Sequence, residues 1–105
     1  MAADIYFDDP SSSRAPLHVL GLDCALIKTG TIDCDNSYQT GGYDTSKISG
    51  QFRRCLNIGF FPRGGYYPEY DKDNDTMIVR NSAGEVANAT DLSSLTGIPF
   101  VAWGL

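Results

Sequence analysis

The run from Gly64 to Arg80, GGYYPEYDKDNDTMIVR, narrows the possible folds more than any other part of the chain. An aromatic stretch, a stretch of alternating charges and a short β-branched stretch follow in that order, the pattern of a β-hairpin with a polar loop. Strand side chains alternate between faces, so Tyr66, Pro68 and Tyr70 share one face while Tyr67 and Glu69 share the other. A proline inside the run suits an edge strand, where its missing N–H leaves no bond unmade, or a bulge. Asp71 to Asp75 reads as the hairpin loop and Thr76 to Arg80 as the returning strand. Just upstream, Arg63-Gly64-Gly65 reads as a turn with two residues free to take left-handed backbone angles.

The remaining chain carries the same punctuation. Leu17 to Asp33, LHVLGLDCALIKTGTID, is rich in Leu, Val, Ile and Thr and is read as two strands. Its glycines and β-branched residues make a helix a poor alternative. Cys34 to Gly50 is a long polar loop with a tight corner at Thr40-Gly41-Gly42 and a helical turn capped by Asp44 or Thr45. Gln51 to Phe61 is the next strand, with Phe52, Arg54, Leu56, Ile58 and Phe60 on its inward face. Asn81 to Gly84 forms a turn, and Asp91 to Leu95 closes as a short helical turn. In the last strand Ile98, Phe100 and Ala102 alternate with Pro99, Val101 and Trp103. Both faces are apolar, so this strand is expected at the centre of a sheet or covered at an interface.

Met1 to Pro16 has a different character. An apolar cluster, Ile5-Tyr6-Phe7, is followed by Asp8-Asp9-Pro10 and Ser11-Ser12-Ser13, which disfavour regular structure. This reads as an N-terminal arm, residues 1–16, attached to a β-sandwich domain, residues 17–105. The cluster then docks either on its own domain or on a partner, and removal of the arm leaves the domain folded.

At 105 residues one core is expected, and a 42% hydrophobic composition excludes a disordered chain. No stretch of about 18 apolar residues is present to suggest a membrane helix. The first residues lack a basic region and an apolar run, so the chain is expected to be made and kept in the cytoplasm. A net charge of −5 argues against a nucleic-acid partner, which would be bound through clustered Lys and Arg. Cys24, Cys34 and Cys55 are an odd set without a C-x-x-C pair and are expected as free thiols. The single histidine, His18, lies in an apolar run, so neither a zinc site nor a nucleophile–base pair can be assembled around it. Asp71, Asp73 and Asp75 match the first three spacings of a calcium loop. Thr76 and Ser82 stand where such a loop needs its glycine and its glutamate, so the aspartates read as turn residues. The expectation is a protein that is not an enzyme and has no catalytic residue, cofactor or metal.

Three blocks carry a resemblance to the head decoration, or cement, proteins of tailed phages. Ser37-Tyr38-Gln39-Thr40-Gly41-Gly42 is similar to that family's Tyr-Pro-Thr-Gly-Gly corner, with Gln39 in place of the proline. Gly65 to Asp71 followed by Thr76-Met77-Ile78-Val79 resembles its Gly-Tyr-aromatic-x-x-Tyr-Asp block and the apolar strand after it. Glu85-Val86-Ala87, Thr90-Asp91-Leu92-Ser93 and Phe100-Val101-Ala102-Trp103-Gly104 resemble its closing segments. The chain departs from many relatives in the short Arg80–Glu85 connection, where they carry a long Gly/Ser insertion.

The resemblance implies an all-β, jelly-roll-like sandwich that binds the outer surface of an icosahedral bacteriophage head and stabilises contacts between major capsid proteins. It implies a virion protein, a homo-oligomer (dimer or trimer) on the shell, with neither nucleic acid nor membrane as partner. Ile5, Tyr6 and Phe7 of the arm, with Phe61, Arg63 and Tyr67, are the candidate capsid and oligomer contacts. Two other readings compete: a carbohydrate-binding sandwich with Tyr66, Tyr67, Tyr70 and Trp103 as a stacking platform, and a low-copy tail or head-completion component.

Overall fold

A computed structural model describes residues 3–8, 13–17 and 22–105, with residues 13–17 and 22–25 described by their backbone alone. The expectations for His18, Gly21 and the Ser11-Ser12 joint fall outside the described residues, as does the Cys24 side chain.

The chain is all-β, built from two antiparallel sheets over one core. The first sheet holds β1 (Asp4–Phe7), β2 (Ser13–Leu17), β3 (Leu22–Asp33), β5 (Cys55–Phe60) and β9 (Ile98–Gly104). Its order is β1-β3-β9-β5, and β2 also pairs with β3. β1 pairs with residues 30–33 of β3 and β2 with residues 22–27, so the two short strands lie end to end along one edge of β3. The second sheet holds β4 (Tyr43–Asp44), β6 (Tyr67–Asp71), β7 (Thr76–Asn81) and β8 (Gly84–Glu85). β6 pairs with one edge of β7, while β4 and β8 share the other in tandem.

Alternation places the core. From the first sheet come Ile5, Ile32, Ile58, Ile98, Phe100 and Ala102, and from the second Tyr43, Met77 and Val79, all buried. Connecting segments add Tyr38, Ile48, Phe52, Val86, Leu92 and Leu95. Burial of such side chains from both sheets against each other is the main driving force for the fold. The final strand is central, between β3 and β5, as its two apolar faces require.

The predicted hairpin is present as β6 and β7, with Asp71 opposite Thr76 and Pro68 opposite Val79. Pro68 and Tyr70 turn inward and Tyr67 and Glu69 outward. β6 is the sheet edge, where the proline costs no ladder bond. Upstream, Arg63 and Tyr66 exchange two backbone hydrogen bonds of 3.1 and 3.0 Å. Gly64 and Gly65 between them have φ of 61° and 82°, the geometry of a two-residue hairpin turn that favours Gly-Gly.

Several expectations need correction. Of the two dockings open to the leading segment, its described residues take the one on their own domain, and not as an irregular arm: β1 and β2 are strands of the first sheet, because pairing with β3 satisfies their backbone groups. Ile5 is 7% exposed and belongs to the domain's own core, while Phe7 packs edge-on against Phe100 with ring centroids 5.9 Å apart. Within Leu17 to Asp33, residues 22–33 form one long strand, and Leu17 ends β2. The inward face predicted from Gln51 breaks at Arg54. A register shift between Cys55 and Asn57 inserts Leu56 as a bulge, so Cys55 rather than Leu56 faces Gly104. Residues 91–95 close as a single turn rather than a helix: Asp91 Oδ1 accepts from the Ser93 N–H at 2.9 Å, the Leu95 N–H donates to the Leu92 carbonyl at 2.9 Å, and Leu92 and Leu95 are buried.

Candidate functional site

The corner Thr40-Gly41-Gly42 is where the fold is tied most tightly. Gly41 and Gly42 have φ of 100° and 99°, and a Cβ on Gly42 would lie 2.4 Å from the Met77 carbonyl oxygen. Only glycine lets the corner press this closely on β7. Tyr38, fully buried, donates its hydroxyl to Glu85 Oε2 at 2.8 Å and accepts from the Val79 N–H at 3.3 Å. The same carboxylate oxygen accepts from the Gly41 N–H at 2.9 Å. Thr76 Oγ1 donates to the Gly41 carbonyl at 2.7 Å, Asn88 Oδ1 accepts from the Thr40 N–H at 3.0 Å, and the Tyr38 N–H donates to the Thr90 carbonyl at 2.9 Å.

Burial, and then the Glu85 carboxylate, push the Tyr38 phenol up to about 12, so it stays protonated and donating. The Gly41 N–H and then the Tyr38 hydroxyl hold Glu85 below its ordinary value of 4.5. Folding therefore favours the charged carboxylate, and its contribution is complete above about pH 4.5 and lost as the pH falls through the lowered value. Glu85→Gln is expected to cost about 1 kcal/mol at neutral pH, reduced from the usual charged-bond figure because the site is exposed. In acid the difference from wild type should close. Thermal unfolding of both proteins from pH 3 to 7 checks this, and a gap that persists or widens in acid contradicts it.

A second polar hub anchors the hairpin loop. Asp75 Oδ1 accepts from Thr45 Oγ1 at 3.0 Å and from the Tyr70 hydroxyl at 2.9 Å, and its Oδ2 accepts from Ser49 Oγ at 2.6 Å. Thr45 and Ser49 flank and end the helical turn α1 (Ser46–Ser49). The Thr45 hydroxyl is therefore turned away from capping that turn, and Asp44 Oδ1 accepts the Ser46 N–H at 2.9 Å instead. Both Asp75 oxygens are engaged, Asp71 accepts from Asn74, and Asp73 is exposed. Among the described residues no three acidic, His or Cys side chains gather as metal ligands.

The outer faces of the two sheets differ in chemistry. On the second sheet, Asp44, Asp71, Glu69, Arg80 and Glu85 lie among Thr76, Ile78 and Tyr67, and Arg80 Nε pairs with Glu69 Oε1 at 2.7 Å. The outer side of the first sheet carries few charges across its strands. Tyr6, Thr31 and Pro99 form one row, which Phe61 extends through its N–H to the Pro99 carbonyl. Thr29, Val101 and Gly59 form the next, with the exposed Asp8 at its β1 edge accepting from the Thr29 hydroxyl, and Ile27, Trp103 and Asn57 the third. Tyr6 is 54% and Phe61 51% exposed.

The candidate contacts thus fall into two groups. Ile5 is core, Phe7 is partly buried, and Tyr6 and Phe61 share a row of the first sheet's outer face. Arg63 and Tyr67 are exposed at the connection into β6 and at its start, with Tyr67 53% exposed on the second sheet's outer face. Trp103 and Tyr67 lie on opposite faces of the molecule, while Tyr66 and Tyr70 pack against the core. The four aromatics therefore do not assemble into a single stacking platform. The first sheet's outer face itself could not be read from sequence, since it needs the β1–β3–β9–β5 order to bring its rows together. No protein-family model, curated protein or solved structure matches the chain.

Proposed function

We propose that this chain is a non-enzymatic decoration protein that binds the outer surface of a bacteriophage head and reinforces contacts between capsid subunits. The observation that carries the reading is the contact among the three blocks on which the resemblance rests. Tyr38 and Gly41 of the corner bond to Glu85 of the closing block, Thr76 of the hairpin block bonds to Gly41, and Tyr38 bonds to Thr90. Segments far apart in sequence thus make one knot, as expected if they define a common scaffold of jelly-roll type rather than separate chance matches.

Phe61, Arg63 and Tyr67, exposed around the Gly64-Gly65 turn, are the proposed shell contact. Many copies on a symmetric shell need only weak individual contacts, because avidity supplies the rest. Purified particles of the phage that encodes the chain are expected to contain it at a copy number comparable to that of the capsid subunit. Added back to stripped particles it should saturate, and the Phe61→Ser/Tyr67→Ser double variant should bind at least about tenfold more weakly with unchanged thermal unfolding. Particles that lack the chain, or hold only a few copies, exclude the reading.

A further inference from the structure

We infer that Asn57 and Pro68 guard the open edges of β5 and β6, keeping each from adding a strand of another chain. The inference goes beyond the shell reading and does not depend on it. β5 ends the first sheet and β6 the second, and among the described residues no strand pairs with the outer edge of either. The two strands run beside each other, so both edges open on one flank of the molecule. An open edge of this kind is a template for pairing, because its outward N–H and C=O groups lack strand partners.

Bonds at the neighbouring strands identify which backbone groups point outward. In an antiparallel ladder, opposed residues alternate between pairs that exchange hydrogen bonds and pairs that do not. The Phe61 N–H donates to the Pro99 carbonyl at 3.2 Å, so Gly59, opposite Val101, bonds to β9 in turn. Ile58 and Phe60 therefore direct their backbone groups to the open edge. In the second sheet the Val86 N–H donates to the Val79 carbonyl at 3.0 Å, so Val79 faces β8. Its neighbours Ile78 and Arg80 then bond to Glu69 and Tyr67, which leaves Pro68 and Tyr70 facing outward.

Each edge lacks an outward donor where an arriving strand would need it. The Ile58 N–H is already taken by Asn57 Oδ1 at 2.8 Å, from the exposed side chain immediately before it. Pro68 has no N–H to offer. A partner strand thus finds a donor at Phe60 but not at Ile58, and at Tyr70 but not at Pro68. The bulge at Leu56 adds to this by bending β5 just before the capped position. A ladder is built from successive outward donors, so neither edge supports one of ordinary length.

Amide hydrogen exchange and an assembly assay test the guards. Asn57→Ala should speed exchange of the Ile58 N–H at least about fivefold while Gly59, bonded to β9, stays unchanged. The double variant Asn57→Val/Pro68→Val returns a donor to each edge, and its thioflavin-T-positive assembly should exceed the wild-type rate at least about tenfold at equal concentration. Asn57→Val alone, at an exposed position, should show part of that gain. Asn57→Asp keeps an oxygen for the same N–H and should assemble no faster than wild type. Ile32→Val, a core change two strands away from β5, separates edge exposure from lost stability, with urea unfolding of every variant as the reference. Valine variants that assemble no faster than wild type, or only as fast as Ile32→Val at matched stability, overturn the inference, as does an Ile58 exchange rate unmoved by Asn57→Ala.

Discussion

A chain lacking residues 1–16 is expected to lose its cooperative thermal transition. Read from sequence, this segment is an arm whose removal leaves the fold intact; the structure makes its described residues part of the sheet. Ile5 is fully inside the core opposite Ile32, Ala3 is buried, and Phe7 lies edge-on to Phe100. Gly30 records how closely the segment packs, since a Cβ there would lie 2.1 Å from the Tyr6 carbonyl oxygen. Truncating one buried isoleucine to alanine costs about 2–5 kcal/mol, and the deletion also removes Phe7 and the strand partners of residues 25–27 and 30–33 of β3. A domain of this size is stable by only about 5–15 kcal/mol, so the combined loss consumes most of what is available. The bare β3 edge would in addition offer a template for aggregation. Ile5→Ala alone should lower stability by about 3 kcal/mol, whereas Tyr6→Ser, at an exposed position, should change it by less than about 0.5 kcal/mol. Calorimetry and urea unfolding separate the three, and a truncated chain that melts like the full one would show that the segment contributes nothing to the fold.

Asp75→Ala is expected to be the most damaging single change in the hairpin, at about 3–4 kcal/mol. Two effects combine. The carboxylate accepts three hydroxyl hydrogen bonds, from Thr45, Ser49 and Tyr70, and Thr45 is fully buried, so its removal leaves a donor without solvent or partner. The residue also holds φ of 55°, a conformation that costs alanine about 1 kcal/mol and that Asp and Asn tolerate. Burial and then the Asp75 carboxylate raise the Tyr70 phenol well above its ordinary value, so it remains a donor. Asp75→Asn keeps the backbone preference and one acceptor, and should cost about half as much. Asp75→Gly relieves the backbone but keeps no acceptor, and should fall between Asn and Ala. Urea unfolding of the three variants tests that order, and a loss for Ala no larger than for Asn would show that the hydroxyl bonds are not what hold the loop.

These two cases show which features are legible locally. The β6–β7 hairpin could be read because its information is confined to neighbouring residues: alternation sets the faces, Pro68 marks an edge, and the Gly64-Gly65 turn fixes the entry. The last strand was readable for the same reason, since apolar residues on both parities leave a central position as the natural placement. Arg54 lies off the expected face because a single bulge at Leu56 shifts the pairing of the residues just before it, while Phe52, outside the strand, stays buried; nothing in the local composition announces a bulge. The three spaced aspartates read alike as turn residues, yet Asp75 alone became a hub, through donors contributed by Thr45 and Ser49 some thirty positions earlier.

What the chain's own residues determined, then, was a class of fold and its turns: β-strand periodicity, an edge hairpin, glycine corners and a two-faced final strand, each a consequence of short-range stereochemistry. The tertiary structure alone decided that the leading residues complete a sheet and that the corner, hairpin and closing blocks meet around Tyr38 and Glu85. It also decided that the side chains of Tyr6, Thr31, Val101 and Trp103 come together on one outer face. Those features depend on which strands become neighbours, a choice made by the burial of a shared core over long sequence separations and not by any single segment.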